Sequence, residues 1–169
     1  VSELGSAAVP PEQPQDHVRG NGPEVTLYLD LACPACASTW ARVRELPLRL
    51  CVRHFPVASR RPRSPALHAA AEAAASQAGE EAFWAMWDSL YEDRGRTDDP
   101  HLWARAERLG LDLARFEADR RSDAVEARVQ RDFRGGIRAG VVGTPTAFRE
   151  GRPISGGNLA EALAALARG

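Results

Sequence analysis

Val25-Thr-Leu-Tyr-Leu-Asp-Leu-Ala-Cys33-Pro34-Ala35-Cys36, running on to Leu46, is the stretch on which the fold turns. Val25 to Leu31 is short and almost continuously apolar, the pattern of a strand covered on both faces. After it, Trp40 and Val43 recur at helical spacing from Cys36, so the segment reads as strand, tight turn and helix. Pro34 suits the first helical turn, where no N–H is required. Two cysteines separated by two residues at such a helix start can close a small disulfide. Cys33 is predicted to point past the helix end, where unpaired N–H groups and the macrodipole favour a thiolate. Cys36 shares the stripe of Trp40 and Val43 and is predicted to be the buried partner that resolves a mixed disulfide.

A Cys-x-x-Cys pair also serves as half of a zinc site or as a structural bridge. Zinc would need two more ligands, and the other candidates are Cys51 and four histidines, none of which forms a second close pair. The strand–turn–helix context favours redox chemistry, and no metal is assigned. At 169 residues the chain suits one domain, or one carrying a large insertion. A net charge of −1, with acids and bases interspersed, offers no basic stripe for nucleic acid or an anionic membrane surface. All 22 cationic side chains are arginine, which excludes lysine chemistry. No apolar stretch is long enough to span a bilayer. The first residue is valine, so a leader removed before it stays open.

Residues 1–15, with Pro10, Pro11 and Pro14, are predicted to be a flexible linker, and Asp16 to Gly20 offers a short edge strand. Leu48 to Phe55 alternates as a second strand. Strand, helix, strand makes a right-handed crossover with parallel strands. His54 and Phe55 therefore end at the sheet edge that carries Cys33. His54 is a candidate to stabilise the thiolate, or a hydrogen-bonded structural residue. Cys51, mid-strand, reads as an inert packed thiol.

From Ser64 the pattern is helical. Ser64-Pro65 is predicted to cap a helix that stops at Gly79, and a second runs from Glu80 to Glu92. Others follow from Asp99-Pro100, Asp112 and Ser122, the last weakened by Gly135-Gly136. The stripe of Trp84, Trp87 and Trp103 reads as core. Val141 to Arg149 and Ile154 to Gly157 are predicted to pair through a Glu150-Gly151 turn, with Pro145 starting the first strand, before a terminal helix over Asn158 to Arg168. The fold class is α/β: a central mixed sheet flanked by helices, in one domain over 16–168. Its sheet parts are 16–63 and 138–168, and 64–137 is an inserted all-helical subdomain.

Together, the strand–Cys33-Pro34-Ala35-Cys36–helix unit, the helical insertion and Val142-Gly143-Thr144-Pro145-Thr146 before a hairpin resemble the DsbA-like branch of the thioredoxin superfamily. Asp16 to Gly20, Arg53-His54-Phe55-Pro56 and Phe83-Trp84 add to the likeness, which covers roughly 16 to 168. The resemblance implies a thioredoxin-like fold and a thiol–disulfide oxidoreductase acting on protein or peptide thiols and disulfides, with a separate recycling partner and no cofactor beyond the cysteine pair. It makes Cys33 the nucleophile and Cys36 the resolving thiol. It also implies a cis Pro145 packed on the pair, and Thr144 offering backbone groups to an extended substrate. A redox-switched binding or sensor module, and a reductase of small thiol or peroxide substrates, are the alternatives. Leaderless relatives imply a cytoplasmic location, or an extracytoplasmic one if a leader was removed. Two departures stand out. The carboxylate that most relatives carry six residues before the first cysteine is Leu27 here, and Asp30 is the nearby acid, with a turn or cap role expected. Pro34-Ala35 lacks the histidine or aromatic residue common after the proline.

Overall fold

The computed structural model describes residues 7–155 and 157–169. The elements are β1 (His17–Arg19), β2 (Glu24–Leu29), α1 (Pro34–Val43), β3 (Arg49–His54), α2 (Ser64–Glu92), α3 (Asp99–Arg108), α4 (Leu113–Arg120), α5 (Asp123–Arg138), β4 (Thr146–Arg149), β5 (Arg152–Pro153) and α6 (Leu159–Ala167). They form a mixed sheet in the order β1-β3-β2-β4-β5. β2 and β3 are parallel and the other pairs antiparallel. The helical insertion lies between β3 and β4, as the chain order requires.

β2 is covered on both faces, the physical reason for its unbroken apolar run. Val25, Leu27 and Leu29 face the main core with Trp40, Leu67, Phe83 and Trp87, while Tyr28 faces a second core with Val9, Phe55, Val141 and Phe148. Each such side chain, fully removed from water, contributes about 1.5–3 kcal/mol. α5 approaches the second core through Gly136, where an added Cβ would lie 2.8 Å from the Phe55 ring and 3.0 Å from Tyr28. Gly135 beside it meets nothing within 4 Å. One glycine of the pair is thus a packing requirement, not merely a weak point in a helix.

Several expectations change. Ser64 is not a cap: it is the first residue of α2, and its hydroxyl bonds elsewhere. The stop expected at Gly79 is there: Ala78 and Gly79 leave helical geometry, Gly79 at φ +78° and ψ −167°, so α2 is two helices that meet at a kink without an intervening loop. The third helix is capped by Asp98, one residue earlier than expected, and its side chain accepts from the His101 N–H. Val141 to Pro145 is not strand; β4 begins at Thr146. β5 is Arg152–Pro153 alone, so Ile154 and Ser155 lie past it, and Gly156 is outside the described residues. In the predicted linker, residues 1–6 are likewise not described, but from Ala7 the chain is docked. The Ala7 N–H donates to the Arg138 carbonyl at 2.8 Å, Glu12 takes both ends of the Arg49 fork at 2.8 Å, and Val9 is buried. A composition too poor in apolar residues to fold alone still binds a surface that offers partners.

Candidate active site

Cys33 has extended backbone (φ −88°, ψ 121°) and is the N-cap of α1, with Pro34 as the first helical residue. Its sulfur accepts the Cys36 backbone N–H at 3.4 Å. Its own N–H donates to the Asp30 carbonyl at 3.0 Å, closing the turn between strand and helix. Across the gap, the Cys33 thiol donates to the Thr144 carbonyl at 3.7 Å. The Thr144–Pro145 peptide bond is cis. Thr144 and Pro145 are half-buried, and the Thr144 hydroxyl has no hydrogen-bond partner among the described residues. Pro34 and Ala35 face solvent and add no side-chain donor.

The expected contrast in exposure is absent: Cys33 is 1% and Cys36 0% exposed. What separates the two thiols is hydrogen bonding. The Cys36 thiol and backbone N–H, with Thr144 and the Arg61 charge, outweigh burial and bring the Cys33 thiol down to about 5. Burial pushes the Cys36 thiol far up, and its bond to Cys33 adds to that. The helix start thus favours an ionised Cys33 beside a protonated Cys36. Cys51 is buried against Asp16 at 3.4 Å, and that burial raises its thiol too.

Asp30 lies wholly buried behind the pair. Its two oxygens accept from Ser64 Oγ at 2.5 Å, the Ala32 N–H at 2.9 Å, the Val57 N–H at 3.1 Å and Arg61 Nη1 at 3.3 Å. Burial would raise this carboxyl, but the adjacent His68 ring, Ser64 and Ala32 outweigh it and hold it at about 2. The role is the turn hydrogen bonding expected, extended to the loop 56–63. Leu27, at the position where the resemblance implies a carboxylate, is fully buried in the main core.

His54 does not reach the cysteines. The sheet edge is the expected one, but its ring turns into a buried polar cluster under α2. His68 Nε2 accepts the Leu31 N–H at 3.0 Å, which leaves its Nδ1–H to donate to His54 Nδ1 at 2.7 Å. His54 Nε2–H then donates to Glu72 Oε1 at 2.6 Å, and His17 Nε2–H meets the same oxygen at 2.8 Å. Burial lowers His54 to about 4. The His17, His54 and Glu72 donor atoms lie within 4.8 Å of one another, but the N–H groups an ion would displace are already spent on the carboxylate. Arg61 and Ser64 were missed in the sequence. They arrive from the loop after β3 and from the first residue of α2, some thirty residues away, with no motif to mark them.

A groove of about 870 Å³ opens between the loop after β3, the start of α2 and α5; Cys33, Cys36, Thr144 and Pro145 are not among its lining residues. Phe55, Val57, Val129 and Phe133 line it, with Ile137 54% and Val142 100% exposed on its wall. Val142 stands two residues before Thr144.

With this geometry in hand, residues 39–167 match the sequence model of the DSBA-like thioredoxin domain, a span that begins just after the cysteine pair. The Na(+)/H(+) antiporter NhaA of Herminiimonas arsenicoxydans is 36% identical over 98% of this chain, which covers 27% of that protein. The chain thus spans about a quarter of the length of the curated relatives it matches. Among solved structures, the thiol-disulfide exchange protein alpha-DsbA2 of Wolbachia pipientis superposes with a TM-score of 0.79 at 16% identity, covering 92% of this chain and 87% of that one. A thioredoxin-like oxidoreductase from Silicibacter pomeroyi DSS-3 does so at 0.76 and 25%, covering 92% of each.

Proposed function

Because the chain belongs to the DSBA-like thioredoxin domain family, we propose that it exchanges disulfides with polypeptide substrates through Cys33 and Cys36. The observation that carries this reading is the helix cap: a sulfur that accepts the first turn's N–H and is held at about 5, next to a thiol held protonated. At neutral pH the Cys33 thiolate attacks a substrate disulfide. One S–S bond forms, the substrate's S–S bond breaks, and a substrate thiolate leaves. Cys36 then gives up its proton and attacks the mixed disulfide. The substrate leaves with two thiols, and the two electrons it gained are those lost by the Cys33–Cys36 pair. The reverse sequence donates a disulfide.

Two features favour a polypeptide over a small disulfide. The Thr144 carbonyl lies at the sulfur, where an extended chain would add its backbone. The apolar groove reaches Val142, two residues before Thr144 in the chain. No cofactor enters the scheme, since the cysteine pair carries both electrons. The test is the reduction potential of the pair in glutathione buffers, read by thiol trapping. A value near about −120 mV marks a disulfide donor and one near about −270 mV a reductase. Failure to exchange with glutathione at all overturns the reading.

A second reading is favoured by the relatives' names. The likeness to a stretch of proteins called antiporters suits a redox-switched module attached to a larger partner, in which the pair changes affinity instead of turning over substrate. There, Cys33→Ser leaves binding intact while abolishing exchange.

A further inference from the structure

Pro34 and Ala35 bring no cation to Cys33, and His54 is turned away into the cluster with His68 and Glu72. The charged and titratable groups around the sulfur come from four places. They are Cys36 on α1, Asp30 in the turn before it, Tyr91 and His68 on α2, and Arg61 in the loop after β3. Thr144 adds only its carbonyl and hydroxyl. His68 accepts the Leu31 N–H through Nε2, the nitrogen that faces Asp30 at 3.7 Å, so among the described residues the positive charge here is that of Arg61.

Arg61 is also built in. Its backbone N–H donates to the Val57 carbonyl at 2.9 Å, and Nη1 donates to Asp30 Oδ2 at 3.3 Å. The same carboxylate holds the Val57 and Ala32 N–H groups and the Ser64 hydroxyl. Asp30 therefore clamps the loop that carries Arg61 onto the turn that carries Cys33. The side chain stays 26% exposed, so one edge of the guanidinium is spent on Asp30 and the rest remains at the surface.

We propose that Arg61 is a positioning residue for thiol exchange: fixed by Asp30, it supplies the positive charge that favours an ionised sulfur at Cys33. It acts in two ways. It attracts the thiolate, and it pairs with the Asp30 carboxylate, whose negative charge would otherwise be offset beside that thiolate only by the His68 ring and the hydrogen bonds of Ser64, Ala32 and Val57. Removing it costs both effects at once, whereas removing Asp30 and Arg61 together costs only the attraction.

The inference rests on Cys33 being the nucleophile, yet its test does not need turnover. The rate of Cys33 alkylation by iodoacetamide, mapped by mass spectrometry across pH, reads the ionisation of that sulfur directly. Glutathione exchange is scored separately and decides the function. In Arg61→Gln the midpoint is expected to rise by a few tenths of a pH unit, to about one at most, and Arg61→Lys to recover most of that rise. In an Asp30→Asn background, Arg61→Gln is expected to move the midpoint less than it does alone. An unmoved midpoint in a folded Arg61→Gln protein overturns the proposal, as does a lysine variant that behaves like glutamine. An undiminished shift in the Asp30→Asn background overturns the neutralising half. Should the glutamine variant not fold, Arg61→Met keeps the apolar stem and carries the same expectations.

Discussion

The Cys36 backbone N–H donates to the Cys33 sulfur at 3.4 Å, so Cys33 is itself the cap of the helix that carries Cys36. Ionisation of Cys33 and formation of the first turn of α1 therefore support each other. The side chain of Cys36 adds the largest single contribution that lowers the Cys33 thiol.

Selective alkylation follows. Iodoacetamide at pH 7 should modify Cys33 and leave Cys36 and Cys51 untouched, with the Cys33 rate rising through a midpoint near 5. Cys36→Ala should move that midpoint up, because the thiol that donates to Cys33 is gone. Equal labelling of all three cysteines in the folded protein would contradict the assignment.

Acid sensitivity should appear before the carboxylates titrate. Burial lowers His54 from 6.5 to about 4, so between those values the unfolded chain binds a proton that the folded one refuses. Stability is expected to fall as pH drops through that window, by about 3 kcal/mol in all. His17, raised by Glu72 and Glu80 against the pull of burial, acts in the opposite sense: its share is present below pH 6.5 and lost as pH rises past its raised value. Urea unfolding at a series of pH values checks this, and His54→Gln should flatten the acid side.

Gly135 and Gly136 should respond oppositely to alanine. Gly136→Ala drives a methyl into Phe55 and Tyr28 and should cost about 1–3 kcal/mol. Gly135→Ala meets open space on the same helix and should stabilise it by up to about 1 kcal/mol. Thermal unfolding of the two variants separates them.

Asp16→Asn should be among the most damaging single changes. Arg53 is 3% exposed and pairs with Asp16 at 2.8 Å, and Arg131 reaches the other oxygen at 2.5 Å. Breaking one side of such a buried pair leaves a charge without a counter-ion, at about 3–5 kcal/mol. The midpoint of urea unfolding is the measure.

The parts legible in the chain were those with local causes. The apolar run of β2, the proline in the first turn of α1 and the spacing of Cys36, Trp40 and Val43 are enough for strand, turn and helix. The rest depends on distant partners. Ser64 has the residue type and place of a cap, yet Asp30, thirty-four positions earlier, claims its hydroxyl. His54 lies at the right edge, but the neighbours that turn its ring inward, His68 and Glu72, come from a helix whose rotation no periodicity specifies. Arg61 is one arginine among 22, distinguished only by where its loop lands.

The docked segment before β1 decides where this unit can be separated from a longer polypeptide. A cut at Asp16 would take Glu12 from Arg49, the Pro11 carbonyl from Arg53 and Val9 from the core that Tyr28, Phe55 and Phe148 share. The product would carry a fresh apolar scar on the sheet face opposite α1 and should self-associate. A cut that leaves Ala7 onward in place keeps these contacts, so the prolines belong with the folded unit.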